Sequence, residues 1–502
     1  MGERHTRRQF VRRGSAAVLV AASAPALLAG SAPAATTAEL GRRLRGSLVI
    51  PRDAGWDAAR ALRNPRLDVA PRAIAFCETT DDIAQVVRFA RARGWPVAGR
   101  GGRHSFAGYG NVAGGIVADV SRIADVTLDP RRPLARVGGG ADVLDVYRDL
   151  VLAHGRALPI GTCPTVGIAG LTLGGGFGRL MRRYGVTADS LRAATVVLAD
   201  GRIVRCSEDE RADLFWALRG GGAGFAIVTQ LRYAVREAPA GPIAFTLSYP
   251  WTRAADAIGA WQRTLPGAPA TLSYGRLRAL RRPEGALTLT ASGHWYGSEA
   301  SLRALLAPLV AAGPARQTLR RRTFAQAALP DGVTLSADGR PLTRDVTEVP
   351  RFPNYQRSDF FSGPLPAPAI AALVAAIERW PGVGGGGHEG GVQLDALGGL
   401  VNRPAAGATA FVHRTQRMHC AYLSFWGTRD PPAMAAACAQ WVRDTQAVLA
   451  PHASGEAFQN YIDPELTDWE QAYYGANLAR LKAVKRHYDP AGRFSFAQGV
   501  TR

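Results

Sequence analysis

The chain has few cysteines, and no two of them form a CxxC pair. Its 502 residues include 5 cysteines, which are widely spaced: Cys77, Cys163, Cys206, Cys420 and Cys438. Disulfide scaffolds and zinc modules need paired or closely spaced cysteines, so the spacing argues against both classes. The number is also odd, which requires an explanation in a protein that is exported, as the N-terminus below predicts. A bond from Cys163 to something other than cysteine would supply one.

The chain also lacks clustered positive charge. Its formal net charge is +21, from 61 Lys and Arg against 40 Asp and Glu, and such an excess can indicate a nucleic-acid or membrane partner. Nearly all of the excess is arginine spread along the chain, with no run of five or more basic residues. Without a basic patch or a known binding motif, a nucleic-acid partner is not expected. The 47% hydrophobic content and the length indicate two or three globular domains.

The N-terminus lacks the long unbroken apolar run that a membrane anchor needs. Paired arginines in the segment Thr6–Val11 precede an uncharged Ala/Val/Leu stretch at Gly14–Ala38, and Ala32-Pro33-Ala34 offers a small-residue cleavage site. This layout predicts a twin-arginine signal peptide over residues 1–34. The alternative is an uncleaved anchor, but serine, proline and glycine interrupt the apolar stretch, so it would span a bilayer poorly. We expect export of the folded protein to the periplasm or medium, without stable membrane insertion after the signal is removed.

Two glycine-rich loops each carry one reactive side chain. The first follows a predicted strand at Trp95–Ala98 and contains His104, and the second spans residues 161–178 and contains Cys163. Glycine-rich loops after strands suit phosphate binding by backbone N–H groups. Taken alone, each loop could equally be a tight turn, His104 a satisfied loop histidine and Cys163 a small buried residue. The interpretation therefore depends on whether the two side chains serve one ligand.

The pattern of predicted helices and strands changes at residues 238–242. Before this boundary, helices and strands alternate with the glycine loops. After it, alternating stretches such as Leu287–Ala291 and Cys420–Trp426 predict antiparallel strands separated by helices, which is typical of an α+β domain. A final amphipathic helix is predicted over Tyr474–Tyr488, stopped by Asp489-Pro490. No internal repeat occurs.

Several segments resemble one family, in the same order along the chain. They are Arg100-Gly101-Gly102-Arg103-His104-Ser105, Cys163-Pro164-Thr165-Val166-Gly167, Asp213–Gly222, Tyr473-Tyr474-Gly475 and Asp489-Pro490. They resemble berberine-bridge-enzyme-like FAD-linked oxidases of the vanillyl-alcohol-oxidase superfamily, with a PCMH-type FAD-binding domain, and the signal segment suggests a bacterial, exported member. The resemblance covers residues 45 to 500, which makes it far more specific than one glycine motif.

The resemblance implies an α+β fold of three parts behind the signal peptide. A PCMH-type FAD-binding domain of two subdomains is expected at residues 45–238. A substrate domain with an antiparallel sheet is expected at residues 239–450. A C-terminal segment at residues 451–502 is expected to return and complete the flavin domain.

The resemblance also implies FAD bound through two covalent bonds, from His104 to the 8α-methyl group and from Cys163 to carbon 6. Imidazole and thiolate can attack an electron-poor flavin ring and stay attached. Further cofactor contacts are expected from Arg100, Gly101, Gly102, Arg103, Ser105, Pro164, Thr165, Val166, Gly167, Gly170, Val228 and Asn477. Two positions depart from the family pattern: Arg103 stands where many relatives have glycine, and Leu171 where plant relatives have histidine.

Catalytic residues follow from the sugar-oxidising branch of the family. The resemblance implies Tyr461 as general base, Asp395 as the acceptor of its hydrogen bond and Gln393 as a substrate or flavin contact. Tyr473 and Tyr474 are the alternative bases. A free tyrosine has a pKa of about 10 and needs support to take a proton near neutrality. Tyr461 would remove a hydroxyl proton while hydride leaves the adjacent carbon for flavin N5, and O2 would then be reduced to H2O2.

Other functions stay open. Val166 matches the small gate residue of relatives that react with O2, but a dehydrogenase with another electron acceptor is the main alternative. The oxidised centre could also be a C–N or C–C bond, or part of a glycosylated natural product. A different class is an exported, non-catalytic basic binding protein on a flavin scaffold. The expected partners are a small-molecule substrate and O2, with no metal.

Overall fold

The computed structural model describes residues 36–335, 341–342 and 351–501. The predicted signal peptide at residues 1–34 lies outside this part of the chain. From Thr36 onward the chain forms one compact unit. No helix in the described segments has the length and apolar character that crossing a bilayer requires.

Strands and helices alternate along the whole described chain. The strands are β1 (Ser47–Val49), β2 (Ala73–Phe76), β3 (Val97–Arg100), β4 (Ile116–Asp119), β5 (Val126–Leu128), β6 (Leu134–Gly138), β7 (Arg156–Ala157), β8 (Leu191–Val197), β9 (Ile203–Ser207), β10 (Ile227–Ala234), β11 (Arg236–Glu237), β12 (Ile243–Tyr249), β13 (Leu272–Arg281), β14 (Leu287–Trp295), β15 (Arg316–Arg321), β16 (Thr334–Leu335), β17 (Pro341–Leu342), β18 (Asn354–Phe361), β19 (Gly390–Ala396) and β20 (Met418–Phe425). The helices are α1 (Thr37–Arg43), α2 (Trp56–Arg60), α3 (Thr80–Arg93), α4 (Val143–Val146), α5 (Ile168–Leu173), α6 (Met181–Tyr184), α7 (Ala212–Ala217), α8 (Ala254–Thr264), α9 (Glu299–Ala311), α10 (Phe324–Ala328), α11 (Ala367–Glu378), α12 (Pro432–Leu449), α13 (Trp469–Tyr474) and α14 (Leu478–Tyr488).

The first part of the chain builds two sheets. The smaller has the strand order β1-β2-β4-β3, and β2 and β3 both run parallel to β4. Helix α3 connects β2 to β3; a Thr79–Asp82 capping box starts it and Gly94 ends it in the left-handed conformation. The larger sheet is antiparallel, in the order β5-β6-β10-β8-β9. Val197 and Ile227 of this sheet pack into the core of the smaller one, so the two sheets share apolar contacts.

The second part of the chain builds a seven-stranded antiparallel sheet with the order β15-β12-β14-β13-β19-β20-β18. Helices α8, α9, α11 and α12 and this sheet bury one continuous apolar core. Side chains alternate between the two faces of a strand, and Val392, Leu394 and Ala396 of β19 point into that core. Gln393 and Asp395 therefore lie on the opposite face, away from the helices. These sheets confirm the α+β class; the predicted boundaries at residues 45, 238 and 450 stay predictions.

The C-terminal segment packs back onto the first part of the chain. Leu481 and Val484 of α14 join the same core as Phe215 and Trp216 of α7. The prediction of one helix over Tyr474–Tyr488 is wrong, because the chain breaks at Gly475, whose φ is +46°. Only glycine adopts such left-handed backbone routinely, so α13 ends there and α14 starts after a short 3-10 turn.

Candidate active site

A cavity of about 350 Å³ opens between the two sheets of the first part of the chain. Its walls come from β3, β10 and two loops, and include Val97, Gly99, Arg100, Gly101, Tyr109, Gly170, Val228 and Phe496. Gly170 lies in α5, yet a Cβ added there would meet no atom within 4 Å. Its open face therefore provides a cradle that a bound ligand can fill.

The two glycine loops touch through their backbones. A Cβ on Gly102 would lie 2.3 Å from the nitrogen of Gly167 and 2.6 Å from the carbonyl oxygen of Thr165. No side chain fits into that space, so the contact requires glycine at position 102. The second loop is anchored in turn on the start of α4, where Val143 and Leu144 donate backbone hydrogen bonds to Val166 and Pro164. These contacts fix the distance between the two loops.

This packing brings His104 and Cys163 to one hydroxyl group. Nε2 of His104 lies 2.8 Å from Oγ1 of Thr165, and Sγ of Cys163 lies 3.8 Å from the same oxygen. Gly101 and Gly170, which belong to the loops that carry the two nucleophiles, line the cavity. Both nucleophiles can form a bond to an electron-poor ring, and the cavity beside their loops has an open surface at Gly170. These features fit FAD as the ligand.

Burial sets the protonation of both nucleophiles. It lowers the pKa of His104 to about 4, helped by the positive charge of Arg63, so the imidazole is neutral at pH 7. Burial raises the pKa of Cys163, while hydrogen bonding from Thr165 and the charge of Arg63 lower it and Asp331 raises it. The thiol therefore depends on these neighbours to form the reactive thiolate.

Two arginines of the first loop use their side chains to hold protein. Nε of Arg100 donates to Asp119 at 2.7 Å, and this ion pair is buried. Arg103 donates to the carbonyl of Ala58 and contacts Asp119 at 3.7 Å. Its φ is +63°, in the left-handed region that glycine adopts most readily. Arg100 still lines the cavity, so it can contact a cofactor there. For Arg103, whose side chain holds protein, a cofactor contact would have to come from its backbone.

The other predicted cofactor residues divide into two groups. Gly101, Gly170 and Val228 line the cavity. Asn477 does not, because its side-chain amide donates to the carbonyls of residues 406, 409 and 410 and holds that loop. The hydroxyl of Ser105 accepts a hydrogen bond from the backbone of Tyr109.

Asp395 and Gln393 project from β19 on the face that turns away from the helices. Oδ1 of Asp395 accepts a hydrogen bond from Nε of Arg276 at 2.6 Å, and Oδ2 accepts from Nε2 of Gln393 at 3.0 Å. The expected hydrogen bond from Tyr461 to Asp395 is absent among the described residues; there the carboxylate accepts from Arg276 and Gln393. Burial alone would raise the pKa of Asp395, but Arg276 and, after it, His419 more than offset burial and the pKa is lowered.

Tyr461 lies between the loop that carries His104 and the Arg276–Asp395 pair. Its ring stacks on Phe106, two residues after His104, with centroids 5.1 Å apart. Burial and the charge of Asp395 raise the pKa of Tyr461 to about 12, while Arg276 lowers it. The alternative bases are buried elsewhere: Tyr473 and Tyr474 pack in the core with α14, and the Tyr473 hydroxyl accepts from the backbone N–H of Asp463.

Sequence reasoning missed Arg276 and His419. His419 lies opposite Asp395 in the pairing of β19 with β20, with Nδ1 at 3.8 Å from Oδ2. Within the described chain both of its ring nitrogens are buried without a hydrogen-bond partner. Its ring centroid is 5.3 Å from that of Tyr461. The one sequence signal for Arg276 was its place in a strand of alternating polar and apolar residues. Nothing in the neighbouring sequence indicates that this strand pairs with β19 and faces Asp395.

Comparison with known proteins finds matches along nearly the whole chain. Residues 71–207 match the FAD binding domain family, and residues 457–501 match the family described as berberine and berberine like. The FAD-linked oxidoreductase YgaK of Bacillus subtilis is 30% identical over 467 residues, covering 91% of this chain and 97% of that protein. Glucooligosaccharide oxidase of Sarocladium strictum is 31% identical over 469 residues, covering 88% and 89%.

A solved structure supports the same comparison. Glucooligosaccharide oxidase from Acremonium strictum superposes with a TM-score of 0.78 at 29% identity, covering 91% of this chain and 97% of that one. The flavin of that enzyme is described as 6-S-cysteinyl, 8α-N1-histidyl FAD.

Proposed function

Because the chain belongs to the berberine-bridge-like family of FAD-linked oxidoreductases, we propose that it is a sugar oxidase. It would oxidise an alcohol carbon of a saccharide, oligosaccharide or hydroxylated secondary metabolite to a carbonyl. FAD would be attached through both His104 and Cys163. The observation that carries this proposal is the meeting of both nucleophiles at the Thr165 hydroxyl, 2.8 Å and 3.8 Å away.

Bound FAD supplies a hydride acceptor and passes the electrons on. The protein supplies the base and the charged side chains that set the pKa of that base. Tyr461 is proposed to take the proton of the substrate hydroxyl, and Arg276 provides the positive charge that lowers its pKa. Hydrogen bonds to a catalytic base often tighten only when substrate is bound. Gln393, held by Asp395, offers its amide oxygen to a sugar hydroxyl.

The saccharide substrate is supported by the relatives and by the polar character of the face. Relatives bear the names glucooligosaccharide, chitooligosaccharide and xylooligosaccharide oxidase. Arg276, Gln393 and Asp395 give this face several donors and acceptors, which suit a ligand with many hydroxyl groups. An amine or carbon centre of a natural product would use fewer of them.

Screening for peroxide tests the reaction. Purified protein is incubated in air with gluco-, xylo- and chitooligosaccharides and with aromatic alcohols, while peroxide and dye reduction are measured separately. Peroxide formed with a saccharide supports the proposal. Dye reduction without peroxide would replace the oxidase by a dehydrogenase. If peroxide does form, Val166→Ile should slow its formation selectively. Turnover of aromatic alcohols alone would contradict the sugar substrate, and a colourless, inactive protein would favour a binding protein.

We further propose export through the twin-arginine route, based on the Arg7-Arg8 pair in residues 1–34. Replacing both arginines by lysine keeps the charge and removes the recognition pair. The variant should stay in the cytoplasm of a host with this export route, while the unmodified chain leaves it. Equal export of the two proteins would contradict the proposal.

A further inference from the structure

Thr165 is the residue that both predicted attachment side chains contact. Among the described residues its hydroxyl has two partners, Nε2 of His104 at 2.8 Å and Sγ of Cys163 at 3.8 Å. A hydroxyl can accept from one neighbour while it donates its single proton to another. One oxygen can therefore serve the imidazole and the thiol together.

We infer that Thr165 is a positioning residue for flavin attachment, an inference that rests on the proposed function. Its Oγ1 accepts the proton of His104 Nε2–H and donates its own proton toward Cys163 Sγ. The hydrogen bond at Nε2 fixes the tautomer, so the lone pair of His104 lies on Nδ1. The hydrogen bond to sulfur stabilises the thiolate, which is the nucleophilic form. Thr165 thus prepares both nucleophiles.

The chemistry of the two attachments balances in the same way. In each, one C–H bond of the flavin is replaced by a bond to protein, C–N at the 8α carbon or C–S at carbon 6. The proton of Nε2–H or S–H and the proton of the C–H bond leave. The electron pair of the C–H bond reduces the flavin, and O2 takes two electrons and two protons to become H2O2. Thr165 keeps accepting the hydrogen bond from Nε2–H while the Nδ1–C bond forms and positive charge develops on the imidazole.

The surroundings favour this assignment of the two protons. Burial keeps His104 neutral with a pKa of about 4, so one ring nitrogen carries the only proton. The charged and titratable groups that act on the thiol or respond to it are Arg63, Asp331 and Tyr461, besides the Thr165 hydroxyl. Arg63 favours the thiolate and Asp331 opposes it, so the Thr165 hydrogen bond adds to the favourable side.

The contact is held by protein packing. The Gly102–Gly167 backbone contact leaves no room for the loops to come closer. Backbone hydrogen bonds from α4 hold Pro164 and Val166 on both sides of Thr165. The hydroxyl is therefore presented to both nucleophiles by a rigid loop.

The test compares variants of the full chain during expression in a host rich in flavin. Thr165→Val removes the hydroxyl at nearly constant volume, and Thr165→Ser keeps it. Thr162→Val is the matched control, because within the described residues the Thr162 hydroxyl makes no hydrogen bond. Samples taken at intervals after induction are denatured and weighed by mass spectrometry, which counts covalently bound FAD. Visible spectra of the native protein also detect FAD that is bound noncovalently.

The wild type, Thr165→Ser and Thr162→Val should acquire FAD at similar rates. Thr165→Val should bind FAD but attach it roughly ten- to a hundredfold more slowly, the effect of losing one hydrogen bond to a reacting group. The slowing should occur in both the His104→Ala and the Cys163→Ala backgrounds, which form only the C–S or the C–N bond. A structural role alone would not be rescued by serine.

Attachment in Thr165→Val at the wild-type rate would overturn the inference, as would a slowing confined to one of the two bonds. If Thr165→Val does not fold, Thr165→Ala against Thr165→Ser decides by the same criteria. A wild-type chain without covalent FAD would instead overturn the proposed attachment itself. The two failures are therefore distinguishable.

Discussion

Arg276, rather than Tyr461, is the partner that holds the carboxylate of Asp395. Nε of Arg276 and Oδ1 of Asp395 are 2.6 Å apart, and both side chains are largely buried. The two charges act on Tyr461 with opposite sign: Asp395 raises its pKa and Arg276 lowers it. Asp395 therefore acts on the proposed base through its own charge, and it also positions Arg276.

Opposite pH shifts should follow from removing each member of this pair. Without the negative charge in Asp395→Asn, the pKa of Tyr461 falls, so the rise of activity with pH moves to lower pH. In Arg276→Gln it moves to higher pH. The pH dependence of kcat/KM measures both shifts. Arg278→Gln on the same strand, paired with Glu389, is the control and should leave the profile in place. Shifts in the same direction for both variants would contradict the assignment.

Arg276→Gln should also destabilise the fold, because it leaves a buried carboxylate without its cation. Breaking a buried pair from one side costs about 3–5 kcal/mol. Denaturant unfolding of Arg276→Gln and Arg278→Gln measures the difference. Glu389 is about as buried as Asp395 but keeps a second cation, Arg282, in Arg278→Gln, so equal losses in the two variants would contradict this account.

Tyr461→Phe tests the base. The ring that stacks on Phe106 is kept and only the hydroxyl is lost, so folding and FAD content should be unchanged. Loss of a general base lowers kcat by roughly 10²- to 10⁴-fold. Tyr473→Phe is the matched control, since its hydroxyl binds the backbone of Asp463. Full activity of Tyr461→Phe, or a greater loss in Tyr473→Phe, would move the base elsewhere.

Two glycine substitutions separate packing from ligand binding. Gly102→Ala places a methyl carbon 2.3 Å from the backbone nitrogen of Gly167. Overpacking of this kind costs about 1–3 kcal/mol. It should lower Tm and impair attachment. Gly170→Ala meets only open space, and alanine in a helix is favoured by roughly 0.5–1 kcal/mol over glycine, so Tm of the flavin-free protein should not fall. FAD binding should nevertheless weaken, and unchanged FAD binding would contradict the cradle.

The C–N bond should form over a wide pH range. Since burial lowers the pKa of His104 to about 4, the imidazole stays neutral and nucleophilic above that pH. Attachment by a Cys163→Ala chain, prepared under riboflavin limitation and then given FAD, should be constant from pH 8 down to about pH 5 and fall only near pH 4. A fall centred near the ordinary histidine pKa of about 6.5 would contradict the buried environment.

Local motifs singled out the two loops that the structure brings together at Thr165, because His104 and Cys163 each lie within a short glycine-rich segment. The capping of α3 and the turn at Gly94 also follow from neighbouring residues. The Arg276–Asp395 pair could not be predicted, since it depends on the register of β13 against β19, and these strands are far apart in sequence. Gly475 was misjudged for a related reason, because whether a glycine breaks a helix depends on tertiary packing. The amide of Asn477 donates to the loop at residues 406–410, and its contact with the cofactor stays a prediction.

The mass of the denatured full chain, compared with His104→Ala and Cys163→Ala, tests the central claim most directly. We expect the wild type to be heavier by one FAD. The same increase should persist when either attachment residue is removed alone and disappear when both are removed. Wild-type protein from a flavin-rich host with the mass of the unmodified chain would contradict the account.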